Sequence, residues 1–291
     1  MKKWSCTGVK EELAVFRNQF TIEDAKELCR SNEIDKYSVG ILATGGCLCT
    51  LAAIRAGLFP IWGSELDEPR NPWTKLCQDM WKDLTGVTSL GDATKIVPEM
   101  VRRPTVIKTG FPCQDHCPLG SQKGENGSKG GNLYVWQGHW ICRLEPDIAI
   151  IEQSDHARKV KNGEAVKKLK KILSEKYKVH EKIIPVYTMG DCSNRKRLFL
   201  IAVNLRHGKK ASDFTFPKAV YDEKRYPVAA DVMIPDEDVP ERYILEGEPP
   251  TMYRWRDPVP GQIHHLGKFG EGVQMKEPRE HACDLRISTD V

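Results

Sequence analysis

Short, nearly continuous apolar runs alternate with amphipathic segments along most of this chain. That rhythm restricts the fold more than any other feature. The runs are Ser38–Ala43, Phe59–Trp62, Pro104–Thr109, Asp147–Ile151, Ile184–Thr188 and Leu198–Val203. Candidate helices lie between them, near Gly46–Ala56, Trp73–Leu84, Ala93–Arg102 and Glu164–Tyr177. The last carries Val166, Leu169, Leu173 and Tyr177 at steps of three or four, with lysines opposite. Strands without polar alternation are buried on both faces, as in a parallel sheet flanked by helices. The spacing therefore predicts an α/β fold with a doubly wound, mostly parallel sheet over residues 37–204. An N-terminal helical extension (1–36) is expected before it. A smaller irregular region (205–291) is expected after it, because eight of the eighteen prolines fall between Pro217 and Pro260.

Composition removes several alternatives. Hydrophobic residues at 40% and charged residues at 29% exclude disorder and coiled coil. No apolar run reaches the ~20 residues that a membrane helix requires, and charges rather than an apolar core follow Met1–Cys6. The expectation is an intracellular chain with no membrane contact. Its ten cysteines are expected to be reduced and, lacking a repeated C-x-x-C pair, to hold no metal. The net charge of +4 hides a basic stretch: residues 155–183 hold ten Lys/Arg against four Asp/Glu. That suits either a polyanionic partner or a solvated helix face.

Four strand ends and the opening of a fifth strand carry the candidate chemistry. After the first run, Thr44-Gly45-Gly46 leads into a helix through a glycine pair that lets backbone N–H groups approach a ligand. Glu65 falls about 20 residues later at the next strand tip, where a carboxylate can accept from both hydroxyls of a ribose. Gly110-Phe111-Pro112-Cys113-Gln114 places a thiol just past the third strand, and a thiol is a usable nucleophile. The following stretch 119–131 holds five glycines and reads as a long loop. Glu152 ends the fourth strand as a candidate proton donor or hydrogen-bond anchor. Arg195 and Arg197 open the last strand with guanidinium groups suited to phosphate or base-ring contacts.

Taken in order, these elements resemble the C5-cytosine DNA methyltransferase family. Phe111-Pro112-Cys113-Gln114 is similar to that family's nucleophile motif, and Gly120, Gly124 and Leu133 to its following loop. Glu152 matches the glutamate of Glu-Asn-Val, and Arg195 and Arg197 match Gln-x-Arg-x-Arg. Gly91-Asp92 resembles the acidic position at the adenine end of the cofactor, and Asp238–Leu245 a segment that follows the catalytic half. The likeness spans about residues 38–250. Departures are Ala43 and Ile41 for glycine and phenylalanine of the cofactor turn, Gln153 and Ser154 after the glutamate, Ser193 for glutamine, and Cys117 for serine. No clear copy of the late motifs is found.

The resemblance implies a Rossmann-like class I methyltransferase with a target-recognition region. It implies S-adenosylmethionine as cofactor, held by Gly45, Gly46, Glu65, Asp92 and Pro112. The substrate it implies is a flipped cytosine of double-stranded DNA, bound by a monomer wherever the cell keeps its DNA. Cys113 would add to C6, Glu152 would hold N3 and the exocyclic amine, and Arg195 would orient the base and steady the adduct, with Arg197 beside it in the catalytic set. The alternatives are an inactive nucleic-acid-binding relative and an RNA cytosine methyltransferase. Tyr253-Arg254-Trp255-Arg256 and His264-His265 are candidate base or phosphate contacts.

Overall fold

The computed structural model describes residues 37–66, 72–113, 115–116, 122–127, 132–191, 193 and 195–221. The expected N-terminal extension and Tyr253–His265 lie outside those residues, as do Gln114, Cys117, Gly120 and Asp238–Leu245. So does most of the glycine-rich loop. The chain divides into two compact units. One comprises Lys10–Ile183 and Arg197–Phe216, and the other Met1–Val9, Ile184–Lys196 and Pro217–Val291.

The elements are β1 (Ser38–Leu42), α1 (Leu48–Arg55), β2 (Phe59–Ser64), α2 (Pro72–Thr85), β3 (Val106–Thr109), α3 (Leu133–Leu144), β4 (Ile148–Ser154), α4 (Glu164–Leu173), β5 (Tyr177–Pro185) and β6 (Lys196–Asn204). The six strands form one sheet in the order β2-β1-β3-β4-β6-β5. The first four are parallel neighbours, and β6 runs antiparallel to β4. The expected α/β fold with a mostly parallel sheet is the one observed.

Alternation along the strands divides the core. Ile107, Ala149, Ile151, Leu198 and Leu200 point to the face covered by α3 and α4, where Tyr134, Ile141, Leu169 and Leu173 are buried. Val39, Ile41, Val106, Ile148 and Ile150 point to the other face, with Trp81 of α2. Ile201 and Val203 pack there on Ala211, Phe214 and Phe216. Gly40 is dictated by close approach, since a Cβ on it would lie 2.2 Å from the Trp62 ring. Among the described residues no helix is long and apolar enough to cross a membrane.

Three expectations need correction. Ala93–Arg102 is not a helix but two 3-10 turns, Ala93–Lys95 and Pro98–Met100. Pro98 holds Val97 in an extended conformation (φ −85°, ψ 126°), which separates them. The Glu164–Tyr177 helix stops at Leu173, and Tyr177 opens β5 instead. The run Ile184–Thr188 is the end of that strand followed by a 3-10 turn.

Helix α3 fills the interval between the glycine-rich stretch and β4. Its Leu133, Tyr134, Val135 and Trp136 are consecutive apolar residues that mask the helical period, and only His139 and Arg143 mark its exposed side. Gly138 sits where α3 crosses α4, since a Cβ there would lie 2.7 Å from Leu169 Cδ1. On the basic face of α4, Lys170 is paired with Glu181 at 2.6 Å and Lys168 with Glu164 at 3.3 Å. Two of its four lysines are therefore neutralised within the fold.

Candidate active site

The sheet register gathers the chemistry at one edge. Leu42 lies beside Ser64 and Thr109, and Thr109 beside Ile151. Ile151 is opposite Leu200, and Ser154 opposite Arg197. The residues that follow β1, β2 and β3 therefore share an edge with the end of β4 and the start of the antiparallel β6.

The turn after β1 is fastened to the tip of β2. Thr44 N donates to Ser64 O at 3.0 Å. Glu65 Oε2 accepts from Gly45 N at 2.6 Å and from Thr44 Oγ1 at 3.4 Å. Glu65 is held at its own backbone by Ser89 Oγ and Gln78 Nε2, both at 3.2 Å. Gly45 has φ +50°, and a Cβ at Gly45 or Gly46 would meet nothing within 4 Å. The glycine pair thus fronts open space, as a turn that receives a ligand against its backbone requires.

Ala43 stands where the resembled family has glycine, and it adopts φ 55°. The left-handed region costs an alanine about 1–2 kcal/mol, and glycine's greater unfolded-state freedom offsets part of that. Ala43→Gly should therefore stabilise the protein by up to about 1 kcal/mol, a rise of roughly 2–4 °C in Tm. Thermal unfolding that is unchanged or lowered would contradict a strained Ala43.

The segment after β3 is braced from two sides. Phe111 is buried with its ring edge-on to Trp136 at 5.8 Å. Its carbonyl accepts from Gln153 Nε2 at 3.4 Å, and Gln153 Oε1 accepts from Ser154 N at 2.9 Å. Gln153 is 2% exposed, and its Nε2 ties the end of β4 to the cysteine segment while its Oε1 closes on the next residue of β4. Pro112 is exposed and Cys113 half-buried, and the Cys113 carbonyl accepts from His116 N at 2.7 Å. Asp115 and His116 are buried. Cys113 therefore sits at the rim of the sheet edge. Cys47, by contrast, is buried at the head of α1, and burial pushes its thiol up to about 11.

Glu152 Oε1 pairs with Arg197 Nε at 2.8 Å, both side chains partly exposed. Its other oxygen turns toward Gly110: a Cβ there would lie 3.2 Å from Glu152 Oε2 and 2.6 Å from Lys108 Nζ. Lys108 was not singled out in the sequence, although a lysine inside the apolar run of a buried parallel strand was a visible signal. Asp92 caps the 3-10 turn that follows it, accepting from Thr94 N at 2.9 Å and Thr94 Oγ1 at 2.8 Å. Arg195 belongs to the other unit, where its carbonyl accepts from Val186 N at 2.8 Å. Gly45, Gly46, Glu65, Pro112, Cys113, Glu152 and Arg197 all lie at this edge of one unit, and Asp92 belongs to the same unit with its carboxylate turned to Thr94.

The profile of the C-5 cytosine-specific DNA methylase family matches residues 44–247. The chain belongs to that family. It is 24% identical over 220 residues to the type II methyltransferase M.HhaI of Haemophilus parahaemolyticus, covering 74% of this chain and 65% of the relative. It is 24% identical over 166 residues to the type II methyltransferase M1.ScrFI of Lactococcus lactis subsp. cremoris, covering 57% of this chain and 41% of the relative. The chain thus spans less than two thirds of the length of these relatives. A prophage-encoded protein assigned as a DNA modification methyltransferase (E. coli) shares the fold. Its TM-score is 0.52 at 18% identity, with 68% of this chain and 55% of the other covered.

Proposed function

We propose that this methylase transfers a methyl group to C5 of cytosine in double-stranded DNA through a covalent bond between Cys113 and C6. The observation that carries the reading is the shared sheet edge. A cysteine at the rim, the Glu152–Arg197 pair and an open glycine turn tied to Glu65 emerge side by side from it. S-adenosylmethionine, when bound, supplies an electrophilic methyl group. The residues present fit it: the turn at Gly45 and Gly46 leaves room for close backbone approach and Glu65 offers a carboxylate to ribose hydroxyls, with Asp92 and Pro112 assigned to the same ligand by the family likeness.

C5 of cytosine is a weak nucleophile, and the chain's own groups change that. A duplex cytosine is unreachable until it is flipped out, at a few kcal/mol. The Cys113 thiolate then bonds to C6, and the ring's π electrons move toward C5 and N3, so that C5 becomes nucleophilic. Glu152 accepts a hydrogen bond from the exocyclic amine, and Arg197 holds the carboxylate in place for it. Arg195 is assigned to orientation of the base. Departure of the C5 proton and of Cys113 returns the enzyme. Methyl transfer to DNA of mixed sequence, with the modified base mapped, tests the reading. 5-Methylcytosine at a defined site is expected, and DNA left unmodified would refute it.

Glu65 provides a separate test of cofactor placement. Loss of hydrogen bonds between a charged acceptor and two hydroxyls weakens binding by roughly 1.5–3 kcal/mol. Glu65→Ala should therefore lower S-adenosylmethionine affinity about ten- to hundredfold by calorimetry. The same variant frees Gly45 N, so a loss of about 1 kcal/mol in stability should accompany it. Unchanged cofactor affinity would refute the assignment.

A further inference from the structure

β2 is the outermost strand at its end of the sheet, with β1 on one side only. In a parallel strand the N–H and C=O of one residue point to the same side, and successive residues alternate. Ser64 faces β1, because its carbonyl accepts from Thr44 N at 3.0 Å. Gly63 and Glu65 therefore turn their backbone groups outward, where the sheet has no further strand. Edge groups of this kind need partners from elsewhere. The segment that follows α2 supplies them. Leu90 N donates to Gly63 O at 2.8 Å, and Glu65 N donates to Ser89 Oγ at 3.2 Å.

The same oxygen accepts a second bond, from Gly91 N at 3.3 Å. A hydroxyl oxygen has two lone pairs, and here both are taken. One half-buried atom thus joins the backbone that presents the Glu65 carboxylate to the backbone that leads into Asp92. Gly91 has φ +75°, and a Cβ on it would meet nothing within 4 Å, so its turn borders open space as the turn at Gly45 does. Both groups at the junction are N–H donors. They cannot bond to each other, and only an acceptor between them holds the two segments at a fixed spacing. Gln78 Nε2 also holds the β2 tip, at Glu65 O, but it makes no bond to the Gly91 turn.

We propose that Ser89 is a positioning residue for the cofactor, an inference that rests on the proposed function and its placement of Glu65. The Ser89 hydroxyl fixes the Glu65 carboxylate relative to the Gly91–Asp92 turn. It thereby sets the spacing between the ribose and adenine ends of the cofactor site, as the family likeness assigns them. The chemical step is left to other residues, so Ser89 acts on cofactor affinity and not on the rate once cofactor is bound.

The test uses the full-length protein, calorimetric titration with S-adenosylmethionine, and single-turnover methyl transfer at saturating cofactor. Valine and threonine have the same shape and differ in the acceptor oxygen, so they separate the hydrogen bonds from packing. Ser89→Val should lower S-adenosylmethionine affinity about tenfold, and Ser89→Thr should stay within about threefold of the parent. The rate at saturating cofactor should stay within about threefold in both variants, which a generally loosened fold would not allow. Since Ser89 works in part through Glu65, the losses of Ser89→Val and Glu65→Ala should fall short of multiplying in the double variant. Ser89→Val with an affinity within about twofold of the parent would overturn the assignment. Equal losses in the valine and threonine variants would do the same, as would losses that multiply in full. If Glu65→Ala itself binds cofactor like the parent, the placement of Glu65 fails and this inference with it. A weakened Glu65→Ala beside an unaffected Ser89→Val removes only the inference.

Discussion

Cys113→Ser is expected to abolish methyl transfer while leaving the fold intact. An alcohol is a far weaker nucleophile than a thiolate at neutral pH, and no other described group stands ready to replace the bond to C6. Loss of a nucleophile collapses the residues that act with it, so the fall should reach about 10³-fold or more. Stability should change by no more than about 1 kcal/mol, because Cys113 is only half-buried and serine is close to it in size. A buried inert cysteine would do the opposite. There the hydroxyl would cost roughly 1–3 kcal/mol, and chemistry would be unaffected. Parallel measurement of single-turnover methyl transfer and thermal unfolding separates the two outcomes.

Glu152→Gln carries the second largest expected effect. The amide keeps the shape and one acceptor but loses the charge that faces Arg197 across 2.8 Å and the developing charge on the base. Removing one such preorganised group commonly costs about 10²–10³ in kcat. S-adenosylmethionine affinity should be unchanged, because the cofactor turn is tied to Glu65 rather than to β4. Since both partners are partly exposed, the broken ion pair should cost little stability. Near-normal kcat in Glu152→Gln would remove the residue from the chemistry. A large fall in cofactor affinity would mean that it serves the other ligand instead.

Legibility of the fold followed solvent exposure. Helix α4 was readable because Val166, Leu169 and Leu173 are buried while Lys167 and Lys171 face water, and β4 because its two apolar faces make a continuous run. Helix α3 was not, because four consecutive apolar residues, Leu133–Trp136, obscure its period and only His139 and Arg143 mark its exposed side. The turns at Ala93–Met100 imitate a helical period that Pro98 interrupts. At the site, residues fixed by motif order were legible: Cys113, Glu152 and Glu65 stand at adjoining strand ends because parallel strands bring their C-terminal ends together. Pairwise geometry was not. The Arg197–Glu152 contact depends on β6 entering the sheet antiparallel, and the Gln153 brace and the Lys108 approach depend on register across β3 and β4.

The most direct measurement concerns the bond itself. Fluorine at C5 of the target cytosine cannot leave as a proton, so the enzyme remains attached after methyl transfer. Parent protein, S-adenosylmethionine and duplex DNA with 5-fluorocytosine at the mapped target should give a protein–DNA adduct that survives denaturation. Peptide mapping should place the DNA on Cys113, and Cys113→Ser should give none. No adduct from the parent with cofactor bound on authentic target DNA, or an adduct that persists in Cys113→Ser, would contradict the nucleophilic role of Cys113.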